Sequence, residues 1–204
     1  DAAGSVVWAC LPRFDSDAVF CALLRERRGA DDFGFFSVEL AGHARSEQAY
    51  ISHTPILRTR LFDGQGDGIE ITDFAPRFRQ YGRTFCPMML VRRIQPIAGS
   101  PSVRVRLRPA CGYGAQRPSI TWGSNHVRYV TPETVVRVTV SCPVTAIVEE
   151  TDFVLREPVY LVLGPDETLQ GGVAETSHRF LDETAAYWRD WVRYLAIPFE
   201  WQEQ

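Results

Sequence analysis

From Val6 onward the chain alternates apolar and polar positions with a period of two over short blocks, and Gly, Pro and Asp separate the blocks. That period puts successive side chains on opposite faces of an extended strand. It predicts strands over Val6–Leu11, Phe33–Leu40, Gln48–Ser52, Ile56–Phe62, Ile69–Phe74, Met88–Ile97, Val103–Pro109, Ser119–Trp122, His126–Val130, Val135–Val140, Thr145–Glu150 and Tyr160–Leu163. All are rich in β-branched and aromatic residues. Short connections between so many strands predict an antiparallel two-sheet β-sandwich, in which alternate residues of the two sheets are buried against each other. One short helix is expected near the start, Ala18–Leu24, with Asp15 and Ser16 offering capping oxygens.

The pattern changes at Gly171–Gly172. Beyond it the apolar positions Phe180, Leu181, Trp188, Trp191, Val192 and Leu195 recur at three- and four-residue steps, the signature of one helix over Val173–Leu195. Tyr187 and Tyr194 widen that face, and Trp188, Trp191 and Trp201 place three of the chain's five Trp residues in this tail. Aromatics of that size call for cover. The cover is either the chain's own sandwich or a following domain, so the sequence divides into a sandwich at 1–171 and a helical linker at 172–204.

Length and charge narrow the picture. A chain of 204 residues buries a full core and suits one large all-β domain with a helical tail. A net charge of -3 supplies no clustered basic excess, so nucleic acid is excluded as an expected partner. Every basic residue is Arg, which favours planar, two-pronged ion pairs. The five cysteines, Cys10, Cys21, Cys86, Cys111 and Cys142, are widely spaced without a C-x-x-C, so neither a disulfide framework nor a zinc site is expected. No apolar run approaches the roughly 20 residues of a membrane-spanning helix, and no charged-then-apolar leader opens the chain. The expectation is a cytoplasmic protein that engages no membrane and needs no cofactor.

Candidate chemistry is sparse. In Val103–Arg108, Arg104, Arg106 and Arg108 share one face of a strand, predicted to be a solvated surface paired with carboxylates such as Glu70 or Asp73; Arg58 and Arg60 repeat the motif more weakly. Asp63-Gly-Gln-Gly-Asp67-Gly68 resembles half a calcium loop, but its twelfth position is Phe74 instead of Glu, so a hairpin turn is expected. His43, His53, His126 and His178 show no metal-ligand spacing, and no nucleophile or phosphate-loop motif is present. Glu149 and Glu150, read as strand neighbours, point to opposite faces and form no catalytic pair. Tyr113, Trp122 and Tyr129 are candidates for a sugar-stacking platform, with core packing as the plainer role.

One further pattern is specific. Trp8-Ala-Cys10-Leu-Pro12-Arg13-Phe14-Asp15-Ser16, followed by Ala18-Val-Phe20 and Leu23-Leu24, resembles the N-terminal region of bacterial glycoside hydrolase family 15 proteins, the glucoamylase-like and trehalase-like enzymes. The resemblance continues through Ile71-Thr-Asp73-Phe74-Ala-Pro76, Val91-Arg92-Arg93-Ile94, Gly99, Arg108-Pro109 and Tyr113-Gly, and ends at Tyr187-Trp188-Arg189-Asp190-Trp191. It implies a sandwich placed before an (α/α)6 barrel and joined to it by a helical linker. The catalytic carboxylates of the inverting α-glucosidase type belong to that barrel, so no catalytic residue is assigned here. The resemblance also implies a strand before Asp1 pairing with Val6–Leu11; its absence predicts an exposed edge.

The expected role is therefore a non-catalytic domain that stabilises the barrel and shapes the rim of an α-glucoside pocket, whether for trehalose or a starch-like glucan. Arg13, Phe14 and Asp15 are the candidate rim or barrel contact, with a fold-stabilising Arg13–Asp15 pair as the plainer reading. Phe180, Trp188, Trp191 and Leu195 are the candidate domain-docking residues. The competing expectations are a self-sufficient carbohydrate-binding module and a complete small enzyme.

Overall fold

The computed structural model describes residues 1–24 and 32–195; Trp201 and the end of the expected linker lie outside them. In chain order the elements are β1 (Ala9–Cys10), β2 (Ala18–Phe20), β3 (Phe35–Leu40), β4 (His43–Tyr50), β5 (Leu57–Asp63), β6 (Gly68–Phe74), β7 (Phe78–Gln80), β8 (Arg83–Phe85), β9 (Leu90–Ala98), β10 (Ser102–Arg108), β11 (Ser119–Trp122), β12 (His126–Val130), β13 (Val135–Val140), α1 (Val144–Val148), β14 (Phe153–Val154), β15 (Val159–Pro165) and α2 (Val173–Arg193). The fold is mainly β, antiparallel, with a C-terminal helix.

A large sheet runs β11-β12-β13-β15-β9-β6-β5-β4 and a small one β14-β10-β3. Alternation explains how they meet. Phe36, Val38 and Leu40 of β3 and Val103, Val105 and Leu107 of β10 are buried against Leu61, Ile69, Ile71, Ile94, Val138 and Leu161 of the large sheet. The intervening residues of the large sheet point the other way. Phe74, Val91 and Val162 form a second core with Phe78, Phe180 and Ala185, so α2 and the β7–β8 hairpin cover the outer face. Phe180 stands 5.4 Å from the Phe78 ring and 5.5 Å from that of Phe85. Burying one such side chain stabilises by about 1.5–3 kcal/mol, which fixes the first half of the helix to its own sheet.

One polar group sits inside the sandwich. Arg92 is 1% exposed on the inner face of β9. Its guanidinium donates from Nε and Nη2 to Asp73 on the neighbouring strand at 2.7 and 2.9 Å, and from Nη1 to the Phe36 carbonyl at 3.0 Å. The pair joins two of the resemblance motifs, Ile71–Pro76 and Val91–Ile94, directly across β6 and β9.

Three expectations are corrected. Ala18–Leu24 is a strand, β2, followed by a 3-10 turn at Ala22–Leu24. Val19 and Phe20 gain more by filling the sandwich than so short a helix would hold on its own. Thr145–Glu150 is mostly the helix α1: Pro143 presets the first turn, and Val144, Ile147 and Val148 are spaced three and four apart toward the core. The three arginines of β10 do not meet Glu70 or Asp73, which belong to the other sheet; Glu70 instead accepts from Arg60 at 2.8 Å. Arg106 pairs with Glu39 and Glu150, Arg108 grips Glu150 with two nitrogens, and Arg104 pairs with Asp152. The Asp63–Gly68 segment is the expected hairpin turn, with Asp63 Oδ1 accepting the N–H groups of Gln65, Gly66 and Asp67 at 2.8 Å.

Asp73→Ala leaves a buried guanidinium unpaired, and we expect a loss of about 3–5 kcal/mol in urea unfolding. A second outcome concerns pH. Burial alone would raise the Glu150 carboxyl, but Arg108 and then Arg106 hold it below its ordinary 4.5. A carboxyl depressed in the folded state adds stability above its unfolded value and loses it as pH falls through the lower folded one. Urea midpoints compared at neutrality and at about pH 3 should fall less steeply in Glu150→Gln than in the parent chain.

Candidate functional site

The Leu11–Asp17 loop joins β1 and β2, which pair antiparallel. Its base is rigid. Leu11 packs against the main core, while Ala18, Cys21 and Ala110 form a small cluster with Cys10 and Phe33. Gly34 is needed there: its φ is +86°, and a Cβ would lie 2.8 Å from Cys21 Sγ. Its carbonyl accepts the N–H groups of both Cys21 and Ala22 at 2.9 Å.

The tip of the loop is closed by its own polar groups. Ser16 N–H donates to the Arg13 carbonyl at 3.1 Å, and Arg13 Nε and Nη2 donate to the two Asp15 oxygens at 2.9 and 3.0 Å. That fork holds the Asp15 carboxyl below its ordinary value, with the Arg13 hydrogen bond as the main cause. Both charged side chains are largely exposed, so the pair adds little stability. Between them Phe14 projects into solvent, 89% exposed. The Arg-Phe-Asp order thus satisfies its charges locally and presents one apolar ring.

Beside the loop lies a hollow of about 200 Å³ whose lining includes Asp17, Cys111, Gln116, Thr131 and Glu133. Burial first, then the charges of Asp17 and Glu133, push the Cys111 thiol up, which favours the thiol over the thiolate. Tyr113 projects from the adjoining 3-10 turn, exposed. The carboxylates of Asp17 and Glu133 give this hollow hydrogen-bond acceptors, while the Thr131 hydroxyl is engaged in its own turn, donating to the Thr134 carbonyl and accepting the N–H groups of Glu133 and Thr134. Neither carboxylate is identifiable from the sequence, because the turns carrying them lie more than a hundred residues apart.

The apolar stripe of α2 divides. Phe180 is buried on the chain's own sheet, and Trp188 is half-buried with its indole N–H enclosed and without a hydrogen-bond partner. Arg77 donates to Tyr187 Oη at 3.3 Å and lies 5.7 Å from the Trp188 ring. Trp191, Tyr194 and Leu195 are exposed. Phe78, Arg79, Tyr187, Asp190, Trp191 and Tyr194 line a groove of about 400 Å³ along the last turns.

The sugar-platform candidates do not come together. Tyr129 is core, its hydroxyl donating to the Leu107 carbonyl at 3.0 Å, and burial pushes that phenol up. Tyr113 and Trp122 are exposed on separate elements, a turn beside β2 and the edge strand β11. His178 contacts Tyr160 through its ring, and His43 lies 2.9 Å from Ser46 Oγ.

Comparison with known proteins gives a consistent result. The family model described as trehalase-like, N-terminal, matches residues 1–150. A trehalase of Thermoplasma acidophilum is 29% identical over 119 residues, 57% of this chain and 19% of that protein. Trehalase 2 of Sulfolobus acidocaldarius is 26% identical over 130 residues, 64% of this chain and 19% of its own length. A trehalase of Mycobacterium tuberculosis is 32% identical over 135 residues, 59% of this chain and 18% of its own length. The matches span about a fifth of the length of these curated relatives. No solved structure matches.

Replacing Arg13 by Ala removes the fork, so the Asp15 carboxyl should return upward toward 3.8. Carboxyl carbon NMR shifts followed against pH read this directly; an unmoved titration means the pair does not form in solution.

Proposed function

The chain belongs to the trehalase-like N-terminal family, and on that premise we propose that it is the non-catalytic sandwich of an α-glucoside hydrolase, trehalose being the substrate that its relatives' names suggest. The exposed end of α2, Trp191 with Tyr194 and Leu195, docks on the (α/α)6 catalytic barrel implied by the family 15 resemblance. The Arg13-Phe14-Asp15 loop reaches the rim of that barrel's substrate pocket. Five free thiols fit a reducing, cytoplasmic setting.

The observation that carries the rim assignment is Phe14. An almost fully exposed ring at the tip of a loop whose base is held by core contacts contributes nothing to this domain's core, which leaves it free to pack on another surface. A pocket rim with an aromatic beside an Arg and an Asp suits a sugar, whose hydroxyls take hydrogen bonds while its apolar face lies on the ring.

The test is Phe14→Ala in the full-length protein. Because the ring is exposed, the melting temperature should hold, with a stability change within about 0.5 kcal/mol. Turnover of an α-glucoside, measured as kcat/KM, should fall about tenfold, equivalent to ~1.4 kcal/mol of transition-state stabilisation. Unchanged kinetics overturn the rim assignment.

A further inference from the structure

The large sheet ends at β11, and this edge differs from the opposite one. β4 carries Arg45 and Glu47 and a bulge after His43, features that discourage pairing with another strand. β11 reads Ser119-Ile-Thr-Trp122, without charge, bulge or proline, and no strand among the described residues pairs with its outer side. Ile120 lies opposite Tyr129 and Trp122 opposite Val127, so both point to the inner face of the sandwich. Their partners on β12 are buried, yet Ile120 is 48% and Trp122 59% exposed, Ile120 at the open side of a hollow that Leu107, Ile147 and Val148 also line.

The backbone has a defined direction as well. Gly123 N–H donates inward to the His126 carbonyl at 3.0 Å. In an antiparallel ladder such pairs alternate, so the N–H and C=O groups of Ile120 and Trp122 face away from β12.

We propose that β11 is a self-pairing edge through which two copies of this chain associate about a two-fold axis at Thr121. Antiparallel pairing there sets Ile120 against Trp122 of the second copy, twice, with Thr121 opposite itself. The outward backbone groups of Ile120 and Trp122 then meet their complements. Aromatic–β-branched and Thr–Thr neighbours are both favourable cross-strand pairs. Beyond the strand, Arg117 falls opposite Asn125, so no like charges meet. The surface is self-complementary, as a two-fold contact requires. Its small size places it among weak interfaces, with dissociation constants of micromolar order.

The test uses the full-length protein in sedimentation velocity from about 1 to 100 µM, the range a micromolar dimer requires. The parent should shift from monomer to dimer. Thr121→Lys and Thr121→Glu put like charges face to face at the axis, so each alone should stay monomeric. Mixed in equal amounts they should form a heterodimer. Thr121 is exposed and touches itself only in this register, so the mixing result is specific to it. A parent that stays monomeric throughout, as when another part of the polypeptide covers β11, overturns the proposal. So does a dimer that survives Thr121→Lys, or a mixture that stays monomeric. The pocket-rim role of Phe14 does not enter this measurement, so either reading can fail alone.

Discussion

Arg92 is the constraint on which the rest of this sandwich depends. A guanidinium taken out of water is costly unless every donor finds an acceptor, and here two nitrogens go to Asp73 and one crosses to the small sheet at Phe36. The cation also lies 4.5 Å from the Phe36 ring centroid. Sliding β6 along β9 by one residue would strand the charge in the core, so the pair enforces register where apolar side chains alone would tolerate error. Phe36 transmits the constraint. Its carbonyl also accepts the Val6 N–H at 2.9 Å, and its N–H donates to the Val6 carbonyl at 3.0 Å, so the strand leading into β1 is fixed to the same point. The loop bearing Arg13, Phe14 and Asp15 therefore springs from a base positioned by an ion pair in the middle of the protein.

Unequal sheet widths account for the surface features. Three strands cannot cover eight. Near β9 and β15 the outer face of the large sheet is closed by α2 and the β7–β8 hairpin, which is why Phe180 and Ala185 are buried there. At β11 the inner face is only partly covered: Ile120 lines a hollow with Leu107, Ile147 and Val148, and Trp122 is more exposed still. The helix shows the same logic along its length: its first turns lie over the sheet, and its last turns carry Trp191 and Tyr194 past it.

Most of the fold was legible because a period of two is hard to counterfeit over six or seven residues. Ser119–Trp122, His126–Val130 and Val135–Val140 are found with the predicted bounds, and Val103–Pro109 differs by one residue at each end. Errors fell where an apolar run was too short to carry a period. Val144-Thr-Ala-Ile-Val148 fits either state, and only Pro143 and the three–four spacing favour the helix that forms. The β7–β8 hairpin was missed because its turn is Tyr81-Gly82, with Tyr81 in the left-handed region usually left to Gly, Asn or Asp. Ion-pair partners were not legible: Asp73, expected to meet the β10 arginines, takes Arg92 instead, Arg106 finds Glu39 on the neighbouring strand, and Glu150, which both Arg106 and Arg108 reach, comes from a segment misread as a strand. The Arg13-Phe14-Asp15 loop was legible through resemblance, and the hollow beside it was not, since Asp17 and Glu133 meet only through tertiary structure.

The loop and the helix end share one energetic argument. A ring moved from water into a packed contact gains about 1.5–3 kcal/mol, and Phe14 and Tyr194 forgo most of that gain in this domain. Exposure alone does not single these rings out, since Tyr81 and Tyr50 are exposed as well; their position does, Phe14 at the tip of a loop and Tyr194 at the end of the last helix. At Phe14 the neighbouring charges reinforce the point. Arg13 and Asp15 satisfy each other before any partner arrives, so an approaching surface need not strip water from an unpaired charge to reach the ring. The local pair keeps the charges beside the ring satisfied, and the buried pair at Arg92 fixes the base from which the ring projects.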